Sequence, residues 1–393
     1  MTDWLKYQHL LSLPCYVYDW AKILARIKLL KDNLPENVLL YYAVKANSNL
    51  QLLKALKDKV DGLDISSGGE LEQASLAGYA PQTFSFAGPG KTDAEIELAV
   101  KSGCGSLSAE SLDDLQRIER TAQKLGRTAY VSLRVNPATP VEKFALKMGG
   151  KPTQFGIDEE DLASLPQLKN SKLVGLHVYA GTQCLAADAL AQNLQNSLAL
   201  ASKIAAPLAQ INIGGGFGVD YYPGQEPLDI AAVCTALSQA AQKLPQTKII
   251  LELGRYLIAP AGDYLCPVIN IKKSRGKTFV IVDGGLHQNI SATGNLGQVL
   301  KKNYKISNLS RPEGAKCKVE LAGCLCTPLD TLAVNLELPE PRQGDTLCVH
   351  NSGAYGYTAS PLLFLGHPTP PEYLLQDNKI TLIRRSRRLV EFN

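Results

Sequence analysis

Nowhere in the 393 residues does an apolar run reach the roughly eighteen positions that a membrane helix needs, so no membrane span is expected. The opening Met1-Thr-Asp-Trp-Leu-Lys-Tyr also lacks an apolar signal segment, and a cytosolic protein is expected. Paired cysteines are lacking too. The nine cysteines are an odd number, scattered except for the close Cys324 and Cys326, so neither a disulfide framework nor a metal site is expected. A charge bias is missing as well: a net charge of +4 is too small to make nucleic acid the main partner. The basic Arg384-Arg-Ser-Arg-Arg388 is taken as the end of a solvated strand. There is no internal repeat and no low-complexity linker. What is present, 45% hydrophobic and 20% charged residues, is the composition of an ordinary globular protein.

Short β-branched or aromatic runs alternate with helical patterns from residue 38 onward. Eight candidate strands lie at 38–46, 60–67, 83–88, 105–109, 129–136, 173–181, 210–215 and 248–255. Helical segments between them include 94–100, 111–125, 190–205 and 230–244. Eight successive βα units point to an α/β fold, a (β/α)8 barrel, with a doubly wound sheet as the alternative. The count favours the barrel, and so does the placing of unusual polar residues at the C-terminal ends of strands. After about residue 262 the helices stop, and strands are expected at 264–271, 278–283, 317–321, 346–349 and 379–383. An early strand at 15–19 would join them. The expected division is a barrel over 20–262 and a β domain from 1–19 with 263–393.

Lys45, in Tyr42-Ala-Val-Lys45-Ala-Asn47, ends an apolar strand. Alone it would be a lysine snorkelling to solvent. The rest of the chain turns the reading towards a covalent cofactor lysine. Gly214, Gly215 and Gly216 follow the apolar Ile211-Asn-Ile213, where backbone N–H groups can converge on a phosphate, although a tight strand-to-helix turn would look the same. Glu252 and Arg255 sit just beyond Ile249-Ile-Leu251. The guanidinium suits phosphate oxygens, and the carboxylate suits a pyridine nitrogen whose protonation makes an electron sink. Together these residues suit pyridoxal 5'-phosphate.

The order Tyr-Ala-Val-Lys45-Ala-Asn, His177-Val-Tyr-Ala-Gly-Thr-Gln, Gly-Gly-Gly-Phe-Gly, Glu-Leu-Gly-Arg, Cys326-Thr-Pro-Leu-Asp330 and Gly353-Ala-Tyr355 runs along essentially the whole chain. It resembles the fold-type III pyridoxal phosphate decarboxylases, the ornithine and diaminopimelate decarboxylase family. The resemblance implies an alanine-racemase-like barrel with a C-terminal β domain, a head-to-tail homodimer, and active sites at its interface. By the same resemblance Lys45 would hold the cofactor aldehyde, His177 would stack on its ring and Glu252 would pair with the ring nitrogen. Gly214 to Gly216, Thr182, Arg255 and Tyr355 would hold the phosphate. Asp64 and Arg134 would support the lysine and the phenolic oxygen. Cys326, Thr327 and Asp330 match the segment the family inserts from the neighbouring subunit, and Tyr355 also borders the substrate. The cysteine there returns a proton to the α-carbon after CO2 leaves.

The activity implied is loss of the α-carboxylate of an amino acid. Racemisation is the competing chemistry, but racemases of this fold place an arginine against the ring nitrogen. An inactive regulatory homologue is a further alternative, and it would usually lack cofactor residues that are all present here. Diaminopimelate decarboxylation is less expected, because Thr327 stands where the ornithine and diaminopimelate enzymes carry an acid for the distal ammonium. The stretch from Asp283 to Gly297 also lacks the Pro-x-Leu-Tyr pattern expected of diaminopimelate decarboxylases. That stretch, with Phe144-Ala-Leu-Lys-Met-Gly-Gly-Lys151 and the segment from Gly353 to His367, looks more like a secondary-metabolism branch, one member type of which decarboxylates glutamate held on an acyl-carrier protein. Lys143, Lys147 and Lys151 would then form a basic edge for an acidic carrier.

Overall fold

The computed structural model describes residues 2–296 and 301–393; Gly297 of the stretch above and the side chain of Lys147 lie outside what is described. It divides into two compact units, one of residues 27–219 and 227–254, the other of residues 1–26, 220–226 and 255–393.

The first of these is a closed parallel barrel. Its strands are Val38–Ala43, Gly62–Ile65, Phe84–Phe86, Ser106–Ala109, Ala129–Asn136, Ser171–His177, Gln210–Asn212 and Lys248–Leu253. Each pairs in parallel with the next. Val38–Ala43 pairs with Lys248–Leu253, and the bond between Ser106–Ala109 and Ala129–Asn136 completes the ring. All eight expected strands are present, and the doubly wound alternative is set aside. Local sequence starts the helices between them. Asn49, Ser67 and Ser111 cap their helices through side-chain oxygens, and Thr92 with Glu95 forms a full capping box. The helix expected over 190–205 instead spans Ala187–Ala201.

The other unit is a mixed sheet. Cys15–Asp19 lies between Gly262–Ser274, its antiparallel neighbour, and Glu372–Gln376, its parallel one. Lys277–Val282, Lys316–Ala322 and Thr331–Pro339 extend one side, and Lys379–Arg384 the other. Thr346–Val349 pairs with Gly262–Ser274 and with Ile306–Asn308. Trp4, Cys15, Val17, Leu265, Cys348 and Tyr373 form a core here, and the Trp4 indole N–H donates to Asp263 at 2.6 Å. The patterning had not shown three strands. In Thr331–Pro339, Asn335 takes a positive φ of 48° and breaks the alternation; Glu372–Gln376 follows Pro368-Thr-Pro-Pro371, a loop signal; Ile306–Asn308 is only three residues long.

Candidate active site

The C-terminal ends of the barrel strands carry a connected polar group. Lys45 lies in the single turn after Val38–Ala43, and its Nζ donates to Asp64 Oδ2 at 2.8 Å. Tyr179 lies beneath, its ring centre 5.8 Å from that nitrogen. On the neighbouring strand, Glu252 Oε1 accepts from Asn212 Nδ2 at 2.5 Å and from Ser85 Oγ at 2.9 Å. Its other oxygen stands 3.3 Å from His177 Nε2, near enough for charge but without hydrogen-bond alignment. His177 Nδ1 is held by Ser108 Oγ at 3.0 Å. Arg134 is paired with the buried Glu110 at 2.7 Å, and Glu110 also accepts from the backbone N–H groups of Gly88 and Gly156.

The glycine turn is tightly enclosed. A Cβ on Gly215 would come 2.0 Å from the Glu252 carbonyl oxygen; one on Gly214, at φ 67°, would come 2.5 Å from the Tyr179 ring. Only glycine lets the backbone approach this closely. Cys184 N–H donates to Gly216 O and Gly218 N–H to Cys184 O, both at 2.8 Å, which laces the turn to the segment carrying Thr182.

Burial alone would raise the Glu252 carboxyl, but the His177 ring, the Lys45 ammonium and the Asn212 amide hold it down to about 2. Burial, reinforced by the charge on Glu252, lifts Asp64 to about 6 against the pull of Lys45. These shifts act on stability with opposite signs. Glu252 contributes stability present above its ordinary value of 4.5 and lost as pH falls towards 2. The native chain binds Asp64's proton more tightly than the unfolded chain, so stability falls as pH rises from 3.8 to about 6. Asp64→Asn removes that slope. Its Tm relative to the unaltered protein should climb from pH 4 to 6 and then level, as followed by thermal melts without cofactor; a difference flat across that range would contradict the assignment.

In the mixed-sheet unit, Arg255 begins a short helix, Arg255–Ile258. Its Nη1 donates to Tyr221 OH at 3.1 Å, and its guanidinium lies 4.6 Å from the Tyr355 ring centre. The Tyr221 and Tyr355 hydroxyls hold it charged, its pKa raised despite burial. Cys326 is exposed, in the turn between Lys316–Ala322 and Thr331–Pro339. Thr327 Oγ1 accepts from Leu329 N–H at 3.3 Å. Asp330, expected to meet substrate, is buried and spends its carboxylate on the chain itself. Oδ1 accepts from Leu286 N–H at 2.6 Å and Oδ2 from Leu325 N–H at 2.8 Å, so it shapes the turn carrying Cys326. The C-terminal arginines are also engaged: Arg384 with Glu372, Arg385 with Glu391, and Arg387 over the Phe392 ring.

Sequence reasoning missed Ser85, Ser108, Glu110, Tyr179, Asn212 and Tyr221. A polar residue inside or just after a short apolar strand is the signal that Ser85, Ser108, Glu110 and Asn212 share. Among the described residues, buried side-chain atoms without a hydrogen-bond partner include Asp64 Oδ1, His177 Nε2 and Arg255 Nε. In the barrel, orphaned polar atoms at Asp64 and His177, with a glycine turn that leaves no room for a Cβ, fit a charged, ring-bearing ligand.

A barrel enzyme working through pyridoxal 5'-phosphate requires a site of this kind. Residues 20–259 match the pyridoxal binding domain of the pyridoxal-dependent decarboxylases, and the chain belongs to that family. It is 39% identical over 389 residues to L-glutamyl-[BtrI acyl-carrier protein] decarboxylase of Niallia circulans, covering 95% of this chain and 91% of that one. It is 30% identical to 2-[(L-alanin-3-ylcarbamoyl)methyl]-2-hydroxybutanedioate decarboxylase of Staphylococcus aureus, covering 93% and 94%. Diaminopimelate decarboxylase of Helicobacter pylori, solved in complex with L-lysine, superposes with a TM-score of 0.88 at 29% identity, covering 99% of this chain and 98% of that one. The protein is thus a pyridoxal 5'-phosphate-dependent carboxy-lyase acting on an amino-acid substrate. Among the described residues no helix is long and apolar enough to cross a membrane.

Proposed function

We propose that this enzyme removes the α-carboxylate of an L-glutamyl group held as a thioester on an acyl-carrier protein. The likeness to the Niallia circulans enzyme carries this reading: 39% identity, against 31% for the diaminopimelate decarboxylase of Aquifex aeolicus over a similar span. Thr327 supports it, because a hydroxyl cannot pair with a distal ammonium as a carboxylate would. Lys143 and Lys151 support a carrier-facing edge, although Lys143 already pairs with Asp188.

Bound pyridoxal 5'-phosphate supplies a sink for the electron pair left on the α-carbon when CO2 departs. Lys45 would hold the cofactor aldehyde, with Asp64 orienting its nitrogen. Glu252, kept ionised by its surroundings, would hold a proton on the ring nitrogen, and His177 would pack against the ring. Gly214 to Gly216, Thr182, Arg255 and Tyr355 would hold the phosphate, and Arg134 would steady the site from its pair with Glu110. Cys326 would give the α-carbon its proton. A proton donor is effective only where water is excluded and its geometry fixed, and Cys326 is exposed in the single chain. A second copy would supply the cover, which is the argument for a homodimer with active sites at its interface. Nine unpaired thiols suit the reducing cytosol.

CO2 release should be measured from the glutamyl thioester, free glutamate, meso-diaminopimelate, lysine and ornithine, with Lys45→Ala as the blank. The thioester should exceed every free amino acid by at least about 100-fold in kcat/KM, equivalent to about 3 kcal/mol of selective binding in the transition state. Comparable turnover of meso-diaminopimelate would defeat the carrier reading.

A further inference from the structure

Three loops of the mixed-sheet unit meet at side chains that the decarboxylation leaves unused. His287 follows Asp283-Gly-Gly-Leu286, Cys324 lies two residues before Cys326, and His367 follows the turn Phe364–Gly366. One donor atom from each lies within 4.8 Å of the others. Cys324 Sγ is 3.9 Å from both ring nitrogens of His367, and the two imidazole centres are 4.9 Å apart.

His287 distinguishes this group from ordinary packing. It is 0% exposed, yet neither Nδ1 nor Nε2 has a hydrogen-bond partner. Leaving both nitrogens dry and unpaired costs their full desolvation, and native chains rarely tolerate that without a use for the group. Among the described residues a second comparable cluster, Asp263, Cys348 and His350, differs in this respect. There Ser307 meets His350 Nε2 at 2.8 Å, His350 Nδ1 meets Asp263 at 3.2 Å, and Trp4 donates to Asp263, so the network is closed.

We infer that His287, Cys324 and His367 form a binding site for a divalent transition-metal ion of the zinc type. Two imidazoles and a thiolate are a donor set for Zn2+, and three protein ligands leave a fourth position for water or a substrate atom. Tetrahedral bonds of about 2.0 Å to nitrogen and 2.3 Å to sulfur place ligand atoms roughly 3.3–3.7 Å apart, so the group must close by about an ångström. The Asp330 carboxylate holds the N–H groups of Leu286 and Leu325, the residues beside His287 and Cys324, and so fixes two ligands from behind. An ion here would pin the turn carrying Cys326 to two other loops. The cysteine spacing gave no sign of it, because only one ligand is a cysteine.

The test is cobalt titration of the full-length, pyridoxal-loaded protein after chelator dialysis. One equivalent of Co2+ should survive gel filtration, show a thiolate charge-transfer band with the visible bands of a tetrahedral site, and be displaced by Zn2+. Cys324→Ser should lose the charge-transfer band, and His367→Gln should weaken binding at least about 100-fold. Replacing the buried His287 risks the fold, so these two variants carry the test, each checked by circular dichroism. Failure of the unaltered protein to retain cobalt overturns the proposal, as does a band that persists in Cys324→Ser or disappears equally in Cys326→Ser. Because the readout is metal binding, the result is independent of which amino acid the enzyme decarboxylates.

Discussion

Lys45→Ala is expected to lower CO2 release at least about 10^4-fold and to end borohydride fixation of pyridoxal 5'-phosphate to the chain. Two consequences of the substitution have to be separated. The first is loss of the amine that attaches to the aldehyde. The second is electrostatic: Asp64 is buried, and Lys45 at 2.8 Å is the cation that pulls against its desolvation. Without that cation the Asp64 carboxyl rises further, and Glu252 loses one of the charges that hold it ionised. Lys45→Arg separates the two, since it keeps a cation near Asp64 but offers no nucleophilic amine. It should resemble the unaltered chain in thermal stability and Lys45→Ala in fixation and turnover. If the arginine variant fixed cofactor, or the alanine variant retained turnover within tenfold, Lys45 would not be the attachment point.

The barrel was legible because its signals are local. Most strands are short, largely apolar runs; Asn49, Ser67, Thr92, Ser111 and Asp229 cap helices among them, and the count of eight constrains closure even though no single run does. Lys45, Glu252 and Arg255 stood out for a related reason: a charged residue at or just past the end of a buried strand has few inexpensive explanations. Ser85 and Asn212 gave no comparable signal. Each is an ordinary small polar residue in a three-residue strand, and Ser85 reaches Glu252 across 167 residues of sequence. Only closure of the ring brings them together. Asp330 shows the converse. Its place in a familiar motif suggested substrate contact, whereas the fold turns its carboxylate onto two backbone N–H groups. The strand Thr331–Pro339 was hidden because Asn335, at a positive φ, interrupts the two-residue period that marks a strand.

Glu252→Gln should reduce decarboxylation about 10^3-fold, or about 4 kcal/mol in the barrier, while leaving borohydride fixation at Lys45 intact. Glutamine retains the size of glutamate and can still accept from Asn212 and Ser85, so the scaffold should hold. What disappears is the negative charge that the site keeps down to about 2. A neutral amide cannot hold a proton on a pyridine nitrogen, and an unprotonated ring is a poorer acceptor for the pair left by CO2. The same change removes one of the forces lifting Asp64, whose carboxyl should move down from about 6 and pair more firmly with Lys45. The variant should therefore be competent in attachment, deficient in bond cleavage, and shifted to lower pH in any step that needs ionised Asp64. Single-turnover CO2 release and fixation, measured across pH on the same preparations, resolve these effects. Turnover within tenfold of the unaltered enzyme would mean that Glu252 is a structural partner of Asn212 and His177, with the ring nitrogen governed by another group. A rise in α-proton exchange alongside the loss of decarboxylation would show that Glu252 also restrains the racemase chemistry open to this fold.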